Sequence, residues 1–144
     1  SIDLASTDLS TTSSGTLTIT ASVDGLTSPT GLVSFLSQLS GHLISGTGTV
    51  DLKTYVDNSN TLFGTGTQLD DLSTLPASSS TDLGTTTSPF AITEVLTLTS
   101  TGSADFSLDA SMTGTPVPEP ASLAIFGAAL AGLGVIRRRR RKAA

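Results

Sequence analysis

From Thr16 to Asp24 apolar and polar residues alternate without a break, Leu17, Ile19, Ala21 and Val23 pointing one way and Thr16, Thr18, Thr20, Ser22 and Asp24 the other. A period of two with β-branched threonine on the wet side predicts a half-buried strand. The pattern returns from Thr49, with Val50, Leu52, Thr54 and Val56 opposed to Asp51, Lys53, Tyr55 and Asp57. Asp57-Asn58-Ser59-Asn60 then predicts a turn, and Thr61 to Thr67 the return arm of a hairpin. In that hairpin Gly46-Thr47-Gly48-Thr49 falls roughly opposite its repeat at 64–67, where glycine permits bulges. The clearest alternation comes last. Ile92, Leu96 and Leu98 share one face of Ala91 to Ser100, and beyond Gly102 the residues Ala104, Phe106, Leu108, Ala110 and Met112 alternate with Asp105, Ser107, Asp109, Ser111 and Thr113.

Between these stretches the pattern is weaker. Residues 1–14 carry only Ile2, Leu4 and Leu9 as larger apolar side chains, and read as an edge strand or a frayed end. Leu32, Phe35, Leu36, Leu39 and Leu43 fit helical spacing after Ser28-Pro29, yet Val33 and the flanking strands favour a strand with a loop. Residues 70–89, with Asp70-Asp71, Pro76, a serine run, a threonine run and Pro89, predict loop with one short edge strand around Leu83. Short alternating strands joined by Gly, Pro, Asp and Asn turns predict a mainly β fold, an antiparallel two-sheet β-sandwich of jelly-roll-like type, because two such sheets bury their apolar faces on each other.

Composition adds a location. Ser and Thr supply 47 of the 144 residues, and there is no Cys or Trp and one Tyr. Such a mix suits a polar-surfaced exported protein, and it excludes disulfides and thiolate metal sites. The first residue is Ser1, which predicts removal of a secretory leader or a fragment start. Charge is divided: residues 1–115 hold eleven acids against Lys53, a net charge of about −10, while the six other bases lie at 137–142. The acidic part will not seek nucleic acid.

The tail has three parts. Pro116, Pro118 and Pro120 forbid both a continuing ladder and a helix until the last of them is passed. Residues 121–136 then carry no charge, and as a helix would span ~24 Å against a hydrocarbon thickness of roughly 30 Å. Arg137, Arg138, Arg139, Arg140, Arg141 and Lys142 follow as a cytoplasmic anchor, leaving residues 1–115 outside by the positive-inside bias. Gly127 with Ala131, and Ala128 with Gly132, set small residues one turn apart, which would let another helix approach closely or simply suit a short membrane helix. The expected organisation is an ectodomain over 1–115, complete or lacking its first strand, a Pro-rich linker over 116–120, a transmembrane helix over 121–136 and a basic tail over 137–144.

Val117-Pro118-Glu119-Pro120-Ala121-Ser122-Leu123, the Gly/Ala/Leu-rich run and the arginine cluster together resemble the PEP-CTERM sorting signal of Gram-negative bacteria. The resemblance covers 116–142, and less specifically extends to Ser88–Met112. It implies export by the Sec route, retention in the inner membrane, and processing near Val117, Pro118, Glu119 and Pro120 by the membrane enzyme exosortase. It further implies display at the cell surface or outside the cell, in association with an extracellular polysaccharide or biofilm matrix. It transfers no activity to residues 1–87.

Candidate chemistry upstream is sparse. His42 is the sole histidine and has no nucleophile elbow near it, so it reads as a surface residue. Asp70-Asp71 and Asp57-Asn58-Ser59-Asn60 offer oxygen ligands for calcium without the spacing of a known loop, and read as solvated turns. Asp105 and Asp109 read as wet-face solubilising residues. Gly46-Thr47-Gly48 and Gly64-Thr65-Gly66 lack the third glycine of a phosphate loop, and Tyr55 alone makes a poor sugar platform. No catalytic residue, cofactor or metal is expected. The first reading is a non-catalytic surface protein with a structural or interaction role; the alternatives are a permanently anchored periplasmic binding module and, remotely, a secreted hydrolase using Asp and Glu94 carboxylates.

Overall fold

Two strands of 27 residues each organise the computed structural model, which describes residues 1–118 and 126–129. In chain order the strands are β1 (Ile2–Thr11), β2 (Gly15–Leu26), β3 (Gly31–Asp57), β4 (Thr67–Leu72), β5 (Ala77–Thr86) and β6 (Phe90–Pro116). Strands β3 and β6 pair antiparallel along nearly their whole lengths, from Val33↔Pro116 to Asp57↔Ala91. The other four strands flank them. On the far edge of β6 sit β2 (Gly15↔Ser100 to Leu26↔Phe90) and β1 (Ile2↔Met112 to Thr11↔Ala104). On the far edge of β3 sit β5 (Gly31↔Thr86 to Ser40↔Ala77) and β4 (Leu52↔Leu72 to Val56↔Thr67).

All six strands thus belong to one hydrogen-bonded antiparallel sheet, where two separate sheets were expected. The reason is that β3 and β6 each run through two four-stranded halves, ordered β2-β6-β3-β4 and β1-β6-β3-β5. The halves fold onto each other. One core cluster joins Leu52, Leu72, Leu96 and Leu98 of the first half to Leu39, Phe106, Leu108 and Ala110 of the second. A second joins Val56, Phe90 and Ile92 to Ile2, Val33, Phe35 and Met112. Alternation along each strand puts these side chains on one face, so folding the sheet buries a row from each half against the other.

The fold line lies where register breaks. The β3–β6 ladder shifts between Leu43 and Ser45 and between Gly46 and Gly48, and residues 101–103 of β6 have no partner on either edge. Gly46 has φ of 85°, and a Cβ there would run into the carbonyl oxygen of Ser103. Only glycine lets the two backbones approach so closely at the bend. Across it the Thr47 and Thr101 hydroxyl oxygens are 2.6 Å apart.

Several sequence expectations are corrected. The stretch after Ser28-Pro29 is strand, as the flanking pattern favours, but it continues without the expected loop, its odd-numbered residues Val33, Phe35, Ser37 and Leu39 being the buried ones. The return arm after Asp57 is Thr67–Leu72, and Thr61–Thr67 is mostly loop; the glycine repeats do not face each other, because Gly46 and Gly48 pair with Ala104 and Ser100 of β6. The short edge strand expected around Leu83 is the ten-residue β5, longer than expected because its Ser/Thr run shows no apolar alternation, and residues 70–89, otherwise expected as loop, also hold the end of β4. The two strands expected around Gly102 are one, β6. That strand runs to Pro116, one residue past the expected end of the ectodomain. The transmembrane helix expected over 121–136 lies, save for the helical residues 126–129, outside the described residues, among which no helix is long and apolar enough to cross a membrane.

Candidate functional site

Past Pro116, the Val117 amide donates to the Leu32 carbonyl at 3.0 Å, the last bond of the β3–β6 ladder. Pro116 itself sits opposite Val33, and it fits at the strand end, where one missing N–H costs little. Two residues earlier, Gly114 lies flat against the Phe35 ring, where a Cβ would come within 3.0 Å of a ring carbon. The end of β6 is therefore locked by packing on one face and by backbone bonding to β3. Of the residues expected to form the sorting motif, Val117 is half-buried on the sheet and Pro118 is exposed; Glu119, Pro120 and Arg137 to Lys142 lie outside the described residues.

The interior holds an acid that alternation alone could have found. Glu94 shares its face with Ile92, Leu96 and Leu98, and it is 0% exposed with neither carboxylate oxygen hydrogen-bonded. Its transverse row reads Ala21 (β2), Glu94 (β6), Thr54 (β3) and Asp70 (β4). Burial pushes the Glu94 carboxyl up to about 8, helped by the negative charges of Asp3 and Asp109 and opposed by the N-terminal amine. An acid in that setting is held neutral in the core. It lies among core side chains and is not part of the lining of the three surface cavities described below.

The two aspartates expected as a solvated turn part company, because they are neighbours on a strand. Asp70 points inward and is buried, while Asp71 points out beside Lys53. Asp82 on β5 is pushed up by its desolvation and by the nearby Asp70 carboxylate. On the outer face the Lys53 ammonium lies 2.9 Å from Asp51 and 3.5 Å from Asp71. Burial acts to raise Asp51, but hydrogen bonds from Asp71 and Lys53 and the ammonium charge hold it below its ordinary value; Asp71, sharing a hydrogen bond with Asp51, is pushed up. Among the described residues no group of three or more His, Cys, Asp or Glu side chains is placed to hold a metal ion.

Asp57 serves a different purpose from ion binding. Its carboxylate accepts from the Ser59 amide at 2.8 Å and from the Thr61 amide at 3.3 Å, which hold it below the usual carboxylate range. Gly64 lies so close that a Cβ would overlap that carboxylate. The loop so wound reaches β2, the Gly25 amide donating to Asn60 at 2.7 Å and the Phe63 amide to the Ser22 hydroxyl at 2.9 Å. The Ser22 hydroxyl in turn lies 2.9 Å from that of Thr93, an outward residue that is nevertheless fully buried. Asp105, expected only to solubilise, accepts from Ser10 of β1 and from Ser45 of β3, the latter at 2.6 Å, and these bonds lower its pKa. His42 and Tyr55 stand on strand β3, His42 exposed and Tyr55 half-buried opposite Thr93.

A cavity of ≈ 160 Å³ lies beneath the β1–β2 turn, between Leu9, Leu17, Leu98 and Phe106. It is smaller than the ~300–1,000 Å³ of ordinary small-molecule sites, while two more open hollows, of ≈ 290 Å³ beside Gln38 and Asp109 and of ≈ 330 Å³ beside Asp8 and Asp105, lie on the surface. The most specific functional motif in the sequence is at its C-terminal end.

Comparison with known proteins agrees. Residues 116–141 match the PEP-CTERM protein-sorting motif. No curated protein matches the chain. Among solved structures, the one titled "Structure of infectious bursal disease virus Gx strain" is similar over 81% of this chain at 13% identity, with a TM-score of 0.49, and this chain spans 30% of that one. With its Pro-Glu-Pro sequence, uncharged run and arginine cluster inside the matched residues, this chain carries the PEP-CTERM sorting motif, which implies an exported protein processed by exosortase.

Proposed function

We propose that the chain is a non-catalytic protein of the cell surface or extracellular matrix, whose folded sheet is delivered by a tail that exosortase removes. Residues 121–136 hold the precursor in the inner membrane and Arg137–Lys142 stay cytoplasmic until the cut. The observation that carries this reading is the sorting motif at 116–141, beginning where the sheet ends. The role of the folded part is structural or one of interaction, with the polysaccharide matrix as its setting. Its acidic surface and its hydroxyl-rich strands support that role, keeping it soluble and offering many hydrogen-bonding groups. Mass spectrometry of the protein released by the producing cell tests the proposal. A C-terminus close to Pro118–Pro120 is expected, and released protein that retains Arg137–Lys142 overturns it. Protein found only in the inner-membrane fraction with its tail intact would establish the permanently anchored module instead.

A further inference from the structure

The outer face of the β1-β6-β3-β5 half ends in a patch of exposed apolar side chains. Leu32 and Leu36 point outward from β3, 48% and 38% exposed, and Leu83 points outward from β5, 63% exposed. Register sets them side by side. Leu83 lies opposite Ser34, midway between the two β3 leucines, and so is diagonal to both. Diagonal neighbours on one face stand ~7–8 Å apart, within reach of a single apolar surface. On the other edge Val117 adjoins Leu32 through the last ladder bond, which brings the first residues of the sorting motif to the edge of the patch.

The residues interleaved with these on the same face are Ser34, Thr81, Thr85, Thr113 and Thr115, none of them charged. In a folded part with a net charge of about −10, this is ground on which a partner can approach without meeting an acid. Chain length also limits how far the start of the uncharged run can lie from Val117. From Val117 to Ala121 is four residues, at most ~14 Å of chain. Whatever engages the residues after Pro118 is therefore within reach of Leu32, Leu36 and Leu83.

The geometry points to this face as a docking surface for exosortase, the enzyme implied by the motif, so that recognition spans the motif and the leucines beside it. The inference rests on the proposed processing of the tail. Apolar contact supplies affinity from a rigid sheet, while the motif supplies the address.

The test uses full-length chain in cells that make exosortase, with tail removal followed by pulse-chase. The Leu32→Ser/Leu36→Ser/Leu83→Ser variant is compared with Ile44→Ser, which changes an equally exposed apolar residue at the opposite end of β3's first half. Processing of the triple variant is expected to slow by about tenfold, as when a few anchor side chains are lost, with Ile44→Ser at the wild-type rate. Urea midpoints check that both remain folded, and Leu83→Ser alone, the most exposed change, stands in if the triple variant does not fold. A triple variant, or in that case Leu83→Ser, cut at the wild-type rate overturns the inference, as does equal slowing by Ile44→Ser. So does unchanged processing with lost binding to phosphatidylethanolamine/phosphatidylglycerol vesicles, which would make lipid the occupant. Failure of the underlying reading is separately visible: wild-type chain would then stay uncut, or Pro118→Ala/Glu119→Ala would be cut as fast as wild type.

Discussion

Ser37 and Thr54 lie seventeen residues apart on one strand, yet their hydroxyl oxygens meet 2.9 Å apart in the buried interior. The contact shows β3 folded back across the core, and both residues are 0% exposed. Replacing Thr54 with Val leaves the Ser37 hydroxyl buried without its partner, at a cost of about 1–3 kcal/mol in urea unfolding. The double change Ser37→Ala/Thr54→Val is expected to recover part of that loss, because no orphan remains.

Glu94 makes stability depend on pH. Its folded pKa of about 8 exceeds the ordinary 4.5, so the folded state holds a proton that the unfolded chain releases. Its contribution is therefore fully present below 4.5 and is lost as pH rises through 8, by ~3–5 kcal/mol in all. Asp57 and Asp105 have the opposite sign: their depressed values add stability above the ordinary 3.8, which is lost as pH falls. Unfolding free energy is expected to peak near pH 4–5 and to decline on both sides. Glu94→Gln should flatten the alkaline decline, and an unchanged slope between pH 5 and 8 would refute the assignment.

Gly46→Ala should be costly although it adds one methyl group. The positive φ disfavours any L side chain, and the Ser103 carbonyl occupies the space the Cβ needs. A loss of ~2 kcal/mol or more is expected in thermal or urea unfolding. Gly15→Ala, where nothing lies within 4 Å of the added atom and φ is not positive, is the control and should change stability little.

Asp57→Ala should loosen the loop between β3 and β4 without dissolving the sheet. The amides of Ser59 and Thr61 lose their acceptor, so hydrogen exchange at both should accelerate, together with that of Gly25 across the loop. Exchange in the centre of β6, at Leu96 and Leu98, should stay slow. Melting temperature should fall modestly.

Alternation made the paired central strands legible, because residues such as Leu52, Leu96 and Phe106 bury one face and wet the other. It could not announce that Ser100 and Ala104 belong to a single strand, since a bend at Gly102 and a turn there share the same residues. The edge strand around Leu83 reads too short in the sequence, because the Ser/Thr part of β5 carries no apolar face of its own: its partner β3 supplies Phe35 and Leu39. Glu94 was in plain view by parity, and its charge drew attention to catalysis when its place in the row pointed to the core. At the C-terminus the motif was readable from residue types alone, whereas its bonding to Leu32 needed the folded chain, since that partner is 85 residues earlier.

A strand that enters the tail from the middle of a sheet also decides how the domain bears a pull. Tension on residues beyond Val117 acts along β6, whose edges are bonded to β3 on one side and to β1 and β2 on the other. Extracting it would shear many ladder bonds together, where an edge strand would peel away one bond at a time. If the tail is held as proposed, the domain would hang from a strand bonded along both edges.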